Sequence, residues 1–143
     1  MIKIINYFLQ SILIYSFFII GRILGLKLSR KIFALLFSLV GPLVKSQNIV
    51  KNNLNIFSNK MQDKDKKKII KNMWENYGMT FIEYIFLNHF RKINSHIKVK
   101  NDENLSELIK EKKPVIFISG HFANFELMSM EITKRNIPLA TIY

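Results

Sequence analysis

The residues with the clearest chemical potential in this chain are a histidine and a glutamate five positions apart. His121 follows the apolar run at residues 115–118 and the pair Ser119-Gly120, and Glu126 comes five residues later. Five residues on a regular helix correspond to a rotation of about 500°, so two helical positions would point about 140° apart. The pair can therefore meet only if His121 lies in a turn before a helix and Glu126 lies in its opening turns. Gly120 would supply the backbone freedom for such a turn.

In that arrangement the two side chains could carry out general base chemistry. The imidazole of His121 could accept a proton from a hydroxyl nucleophile, while Glu126 fixes its tautomer and stabilises the imidazolium. This is the base and orienting carboxylate of a catalytic triad, without the enzyme serine. Backbone N–H groups at the helix N-terminus could bind an anion or oxyanion. Spacing alone favours a structural histidine and a catalytic one equally.

Around this pair, segments with the hydrophobic pattern of a strand alternate with segments that have the pattern of a helix. Residues 97–99 alternate apolar and basic side chains, residues 115–118 form a continuous apolar run, and residues 139–143 are again apolar, so each predicts a strand. Helices are predicted at residues 101–112 and 124–135 from their capping residues and apolar spacing. Strands that alternate with helices predict a parallel α/β sheet, with the histidine beyond the carboxyl end of a strand, where ligands bind.

The N-terminal third of the chain is apolar and basic. Residues 4–20 are mostly Ile, Phe, Leu and Tyr, and no small-residue cleavage site follows, which predicts an uncleaved membrane anchor. Residues 32–44 are too short to span and are expected to lie in the membrane interface or to pack on the next domain. Basic residues after the first stretch predict a cytoplasmic location for the rest. The alternative is that both stretches are buried helices of a soluble protein.

The charge distribution supports a membrane partner. The 143 residues include 22 Lys and Arg, 10 Asp and Glu and no cysteine, for a net charge of +12. No acidic residue precedes Asp63, so residues 1–62 carry eight positive charges that suit anionic lipids. Nucleic acid is not an expected partner, because the basic residues are scattered without recognition-motif spacing. His89 and His96 lack neighbours at metal-ligand spacing, so no metal site is predicted, and the absence of cysteine excludes disulfides.

The middle of the chain is predicted to be helical at residues 47–57 and 63–90. In the second segment, large apolar residues recur at spacings of four and three and form a stripe at helical period. The stripe consists of Ile69, Met73, Tyr77, Phe81 and Tyr84. The aromatic residues of this segment could stack on a ligand, but core packing is the favoured interpretation. They are Trp74, Tyr77, Phe81, Tyr84 and Phe86.

The string from Ile118 to Leu127 resembles the His-x4-Glu block of the bacterial lipid A biosynthesis acyltransferases, the lauroyl/myristoyl group within the wider glycerophosphate acyltransferase-like superfamily. Family members commonly show Ser-Gly-His-Phe-Gly-Asn-Trp-Glu here, so Ala123 and Phe125 depart from the pattern. The apolar N-terminus and the segments at 48–57 and 74–78 look like the usual lead-in, so the resemblance covers essentially the whole chain.

The resemblance implies a reaction, a fold and a location. The reaction is transfer of a fatty acyl group from acyl carrier protein to a hydroxyl of a lipid A precursor, at the cytoplasmic face of the bacterial inner membrane. His121 would be the general base and Glu126 its charge partner, with Gly120 and Asn124 binding substrate and no cofactor or metal required. The implied fold is α/β: membrane-associated helices at residues 1–45, followed at 46–143 by the first part of a parallel-sheet acyltransferase domain of the glycerol-3-phosphate acyltransferase type.

One departure from the family pattern concerns length. The sequence stops at Tyr143, at about half the usual length of such enzymes and before their Arg and Asn motifs. We therefore expect an N-terminal piece that has little or no activity unless a separately encoded C-terminal half supplies the rest. The alternative is a truncated, catalytically inactive, membrane-associated fragment. The acyl chain length, the acceptor position and the choice between acyl carrier protein and coenzyme A as donor remain open.

Overall fold

The computed structural model describes residues 2–44, 47–92, 97–100, 102–111 and 114–140. The helices in these ranges are α1 (Ile2–Val44), α2 (Gln47–Phe57), α3 (Asp63–Glu83), α4 (Leu87–Lys92), α5 (Asp102–Glu111) and α6 (Glu126–Lys134), with a 3₁₀ turn at Tyr84–Phe86. The chain divides into two compact units, unit 1 at Met1–Phe86 and unit 2 at Leu87–Tyr143. The predicted division into residues 1–45 and 46–143 stays a prediction.

Helix α1 is broken at Gly25, which has φ 72° and ψ 167°. Only glycine adopts this combination readily, because a Cβ would collide with its own backbone. The break separates arm 1 (residues 2–24) from arm 2 (residues 26–44). The fully buried hydroxyl of Ser29 donates to the Gly21 carbonyl oxygen at 2.8 Å and also lies within hydrogen-bonding reach of the Gly25 carbonyl oxygen. Ser29 thus links arm 2 to the end of arm 1 across the break.

The N-terminal part of arm 1 projects a mostly apolar surface. Every residue from 3 to 16 is exposed, including Phe8 at 64% and Leu13 at 53%. The segment Lys3–Val44 is long and apolar enough to cross a membrane, and only 6% of its most apolar window is buried. The alternative that these stretches are buried core helices of a soluble protein therefore does not fit the packing of arm 1.

Helix α3 packs on both arms through aromatic side chains. The ring of Phe81 contacts Phe18 and Phe37 at centroid distances of 5.4 Å and Phe33 at 6.0 Å. Phe17 completes the cluster with an edge-to-face contact to Phe33 at 5.4 Å. Because the cluster joins residues from three helical segments, it fixes the two arms against α3.

Two contacts show that arm 2 and α3 run antiparallel at close range. A Cβ at Gly78 would overlap the backbone carbonyl of Phe33, and a Cβ at Gly41 would overlap the ring of Trp74. The indole Nε1 of Trp74 is buried there and has no hydrogen-bond partner in the part of the chain that the structure describes. Glycine at these two positions permits an approach that any larger residue would prevent.

Unit 2 is built from α4, α5, α6 and connecting segments. Phe90 in α4 and Ile132 in α6 are both 3% exposed and provide buried apolar surface. Lys134 Nζ donates to the Phe90 carbonyl oxygen at 3.5 Å and lies 2.8 Å from Glu131 Oε1, so this lysine links α6 to α4. Helix α6 ends at a C-cap where the Asn136 N–H donates to the Thr133 carbonyl oxygen at 3.1 Å.

The prediction of a parallel α/β sheet is wrong: no residue in the ranges that the structure describes lies in a strand. Residues 97–100, 114–122 and 139–140 have no regular structure, and residues 141–143 lie outside the described residues. Ile116 and Ile118 are 88% and 92% exposed. An apolar run becomes a buried strand only when neighbouring strands pair with its backbone and cover both faces, and the described residues provide no such neighbours.

The helical predictions are confirmed apart from their ends. Helix α2 matches its predicted range, and residues 63–90 are helical but divided among α3, the 3₁₀ turn and α4. Helix α6 begins at Glu126 rather than at residue 124. The predicted apolar stripe of α3 is displaced, because Tyr77 and Tyr84 are 54% and 44% exposed while Ile82 is fully buried. The predicted core packing of the aromatic residues is confirmed for Phe86, which is buried, and for Phe81, which contacts other rings, but not for Tyr77 and Tyr84.

Candidate active site

The candidate site lies where an irregular segment enters α6. From Pro114 to Phe122 the chain has no regular structure, and the side chain of Phe122 is 83% exposed. The Phe122 N–H donates to the Gly120 carbonyl oxygen at 2.9 Å, which closes a tight turn around His121. His121 therefore sits at the apex of a turn and has an exposed side chain.

The left-handed backbone conformation in this turn falls on Ala123 rather than on Gly120. Ala123 has φ 46°, and Gly25 is the glycine with positive φ in the described part of the chain. An L-residue with a Cβ is strained in this region by about 1 kcal/mol. Gly120 instead lies where an added Cβ would meet the ring of Phe122. The turn does need an unusual backbone conformation, but Ala123 adopts it and Gly120, the predicted residue, does not.

Asn124 and Phe125 lead directly into α6. Asn124 is buried at 9% exposure, and its carbonyl oxygen accepts a hydrogen bond from the Leu127 N–H at 3.2 Å. The Phe125 carbonyl oxygen accepts from the Met128 N–H at 3.1 Å. These bonds form the first helical turn, and Phe125 is the N-cap residue without a side-chain capping bond. The main chain of Asn124 thus orients the start of the helix.

Glu126 is the first residue of α6, and its side chain is half-buried. A carboxylate in the first turn interacts favourably with the positive end of the helix dipole. His121 lies in the turn before the helix, so both positional conditions for a His–Glu pair are met. Within residues 114–140, the structure shows no hydrogen bond or ion pair between the side chains of His121 and Glu126. Catalytic hydrogen bonds are often long before substrate binds, so the dyad stays a prediction.

The imidazole of His121 has a direct aromatic neighbour that the sequence interpretation missed. Its ring centroid lies 4.3 Å from that of Phe125 at an interplanar angle of 62°. This edge-to-face contact restricts the orientation of the imidazole. The spacing of four residues between the two rings was the available signal.

A buried ion pair in unit 1 was also missed. Arg30 Nε lies 3.0 Å from Glu83 Oε1, and the side chains are 46% and 10% exposed. The signal was a single carboxylate within the apolar run at residues 81–86. This pair joins arm 2 to the end of α3.

The other two histidines considered in the sequence are His89 and His96. His89 is exposed in the last turn of α4, and His96 lies outside the described residues. Among the residues that the structure describes, no three histidine, aspartate or glutamate side chains are grouped so that they could hold a metal ion.

The comparison with family models gives one finding. A family model described as bacterial lipid A biosynthesis acyltransferase matches residues 1–143. Searches of curated proteins and of solved structures return no match.

Proposed function

Because the chain belongs to the bacterial lipid A biosynthesis acyltransferase family, we propose that it takes part in transferring a fatty acyl group from acyl carrier protein to a hydroxyl of a lipid A precursor. In this proposal His121 is the general base, and Glu126 is the carboxylate that supports it. Gly120 and Asn124 belong to the backbone that receives the substrate.

The proposed reaction balances without a cofactor. An imidazole nitrogen of His121 removes the proton of the acceptor hydroxyl, whose oxygen attacks the carbonyl carbon of the thioester. The tetrahedral oxyanion collapses and expels the carrier thiolate, which takes the proton back from the imidazolium. Glu126 lowers the energy of the imidazolium while it exists, and the nearby N-terminus of α6 favours the oxyanion. Bond making and bond breaking thus yield one ester and one thiol.

The proposed location is the cytoplasmic face of the bacterial inner membrane. Residues 3–16 of arm 1 are exposed and mostly apolar, and a helix of this kind is stable when lipid surrounds it. Four basic residues lie close to the Gly25 break: Arg22, Lys27, Arg30 and Lys31. Their charge favours the anionic leaflet and a cytoplasmic position by the positive-inside tendency. Such a location would bring the site to a lipid acceptor.

The family match over residues 1–143 is the observation that carries the proposal. The position of His121 supports the chemistry, since an exposed imidazole at the apex of a turn is open to a lipid hydroxyl. The ring of Phe125, with its centroid 4.3 Å from that of the imidazole, helps to hold His121 in one orientation.

The test is an acyl transfer assay in anionic vesicles. The chain, alone and with the C-terminal half of a family acyltransferase added in trans, is supplied with acyl carrier protein thioester and a lipid A precursor. Mass spectrometry measures acylated product, and an acyl coenzyme A arm distinguishes the donors. We expect His121→Ala to lower the rate by roughly 10²–10⁴-fold and Glu126→Gln to lower it less. His89→Ala, which removes the exposed histidine of α4, is the matched control.

The competing function is an inactive, membrane-associated fragment. If neither arm yields product, or if His121→Ala leaves the rate unchanged, the catalytic proposal is wrong and the fragment interpretation replaces it. Equal losses in His121→Ala and His89→Ala would also contradict it, because a general base has a specific position.

A further inference from the structure

Arm 2 carries an unpartnered apolar face. Its five members follow one another at spacings of four, three, four and four residues, so they lie on one side of the helix. They are Leu28, Ile32, Leu35, Leu39 and Leu43, with exposed fractions between 40% and 85%. Ser29, Phe33 and Gly41 lie on a different side of arm 2, against other parts of unit 1. We call the five exposed residues the arm 2 stripe.

Lipid suits this stripe better than a second copy of the chain. Residues 1–62 contain eight basic residues and no acidic one, so two stripes face to face would bring like charges together. An anionic lipid surface supplies both the apolar medium and the opposite charge. Lys27 and Lys31 are exposed near the stripe and could reach the headgroups while their stems stay apolar.

The packing of α3 along arm 2 excludes a transmembrane orientation of arm 2. Helix α3 runs along arm 2 from the Arg30–Glu83 ion pair to the contact between Gly41 and Trp74. It also carries the charged pair Lys71 and Glu75, joined at 3.6 Å. If arm 2 crossed the hydrocarbon, α3 would take these charges into the bilayer at a cost of several kcal/mol. With α3 on the water side, only the stripe enters the lipid.

The basic residues around Gly25 set the depth of the bend. Arg22 Nη1 lies 3.5 Å from the Ile85 carbonyl oxygen, and Arg30 pairs with Glu83, so two of the four cations are held close to the end of α3. Lys27 and Lys31 lie on the first turns of arm 2. Charged groups concentrated at one bend place that bend among the headgroups rather than in the hydrocarbon.

We propose that arm 2 lies in the plane of an anionic membrane surface, with the arm 2 stripe in the boundary between headgroups and acyl chains and the Gly25 bend at headgroup level. The exposed part of arm 1 beyond its contacts with α3, residues 3–16, enters the hydrocarbon. The inference rests on the membrane location given under the proposed function and adds which face of unit 1 meets the lipid. It does not depend on acyl transfer.

The absence of cysteine makes the test direct. Single cysteines are introduced as Leu35→Cys and Leu39→Cys in the stripe, Lys31→Cys beside it and Leu13→Cys in arm 1. Each full-length variant is labelled with an environment-sensitive fluorophore and bound to vesicles of phosphatidylglycerol and phosphatidylethanolamine. Quenching is measured with aqueous iodide and with lipids that carry a spin label near the headgroup or near the chain end. Circular dichroism verifies that each variant keeps the helix content of the parent chain.

We expect the two stripe labels to shift to the blue, to lose iodide quenching and to be quenched most by the headgroup-proximal spin label. The Lys31→Cys label should stay accessible to iodide, and the Leu13→Cys label should respond most to the chain-end spin label. Stripe labels that remain accessible to iodide on vesicles overturn the proposal. If the Lys31→Cys label is as protected from iodide as the stripe labels and is quenched by the chain-end spin label, arm 2 crosses the bilayer and the proposal is also overturned.

Self-association is the remaining outcome. Energy transfer between differently labelled Leu39→Cys copies without lipid, retained on vesicles, would assign the stripe to a second copy and overturn the proposal. The acyl transfer assay tests the proposed function separately from this membrane arrangement. A chain that is inactive in that assay can still give the expected depth profile. A chain whose Leu13→Cys label never leaves water would contradict the membrane location itself.

Discussion

Unit 1 and the candidate site in unit 2 are stabilised in different ways. In unit 1, the main contacts join residues far apart in sequence: Phe17, Phe33 and Phe81 pack together, and Arg30 pairs with Glu83. In unit 2, the contacts around His121 join near neighbours, such as its ring contact with Phe125. Unit 1 therefore depends on how helices approach one another, whereas the candidate site depends on the local conformation of a turn.

This difference separates the proposed membrane scaffold from the proposed chemistry. Substitutions at helix contacts in unit 1 disturb several elements at once, because each contact closes a long loop of chain. Substitutions in the turn before α6 disturb only nearby backbone hydrogen bonds. The expected losses of stability should therefore be larger in unit 1, and the following variants test that order.

Gly78→Ala should produce the largest effect. Its new Cβ would overlap the Phe33 backbone carbonyl, which cannot swing aside as a side chain can. Overpacking against backbone should lower the free energy of unfolding by about 3 kcal/mol, measured by urea unfolding in detergent micelles. Gly120→Ala is the control, since its Cβ would meet only the exposed ring of Phe122. Equal losses in the two variants would remove the contrast between the units.

Gly25→Ala tests the break in α1. Apart from the adjoining backbone, no atom of the described residues lies within 4 Å of a Cβ built at Gly25, so the variant introduces no clash with a packed neighbour. The cost is backbone strain at φ 72°, which should lower the unfolding free energy by about 2 kcal/mol in the same urea experiment. Ser29→Ala removes the hydroxyl that binds the Gly21 carbonyl and should cost about 1 kcal/mol. Unchanged stability in Gly25→Ala would mean that arm 1 and arm 2 form one continuous helix.

Arg30→Ala tests the buried ion pair. Removing one partner of a fully buried pair costs about 3–5 kcal/mol, but Arg30 is almost half exposed, so we expect about 1.5 kcal/mol. The double variant Arg30→Leu/Glu83→Leu should recover part of this loss, because no charge then remains at the contact. A double variant as unstable as the sum of its single variants would show that the pair is not coupled.

The helices could be predicted from sequence because their signals are local. Helix α2 has its predicted bounds, and α5 and α6 lie within two residues of theirs. Helix α3 begins at Asp63 as predicted but ends at Glu83, seven residues before the predicted end. The break at Gly25 was not predicted, since a glycine between apolar residues has the same local pattern whether the helix continues or bends. The displaced buried face of α3 had the same cause: Gly78 lies in the contact but adds nothing to an apolar stripe.

The strands could not be predicted reliably because a strand is stabilised by partners that lie elsewhere in the chain. Residues 115–118 have the composition of a buried strand, yet Ile116 and Ile118 are exposed. The candidate site depended less on this error, since the positions of His121 and Glu126 relative to α6 follow from the turn and the helix start. Which residue would adopt the left-handed conformation was not visible in the spacing, because Gly120 was the obvious candidate.

Ala123→Gly should give the smallest effect, and with the opposite sign. Ala123 has φ 46°, and glycine removes the steric strain while adding freedom to the unfolded chain, so we expect a net gain of about 0.5 kcal/mol. Slower amide hydrogen exchange in the first turns of α6 would measure it. Asn136→Gly, at φ 59°, is the matched control and should gain less, because asparagine tolerates this region. If both variants gained the same stability, the strain would be a general property of the two ends of α6. The turn that presents His121 would then have no strain of its own.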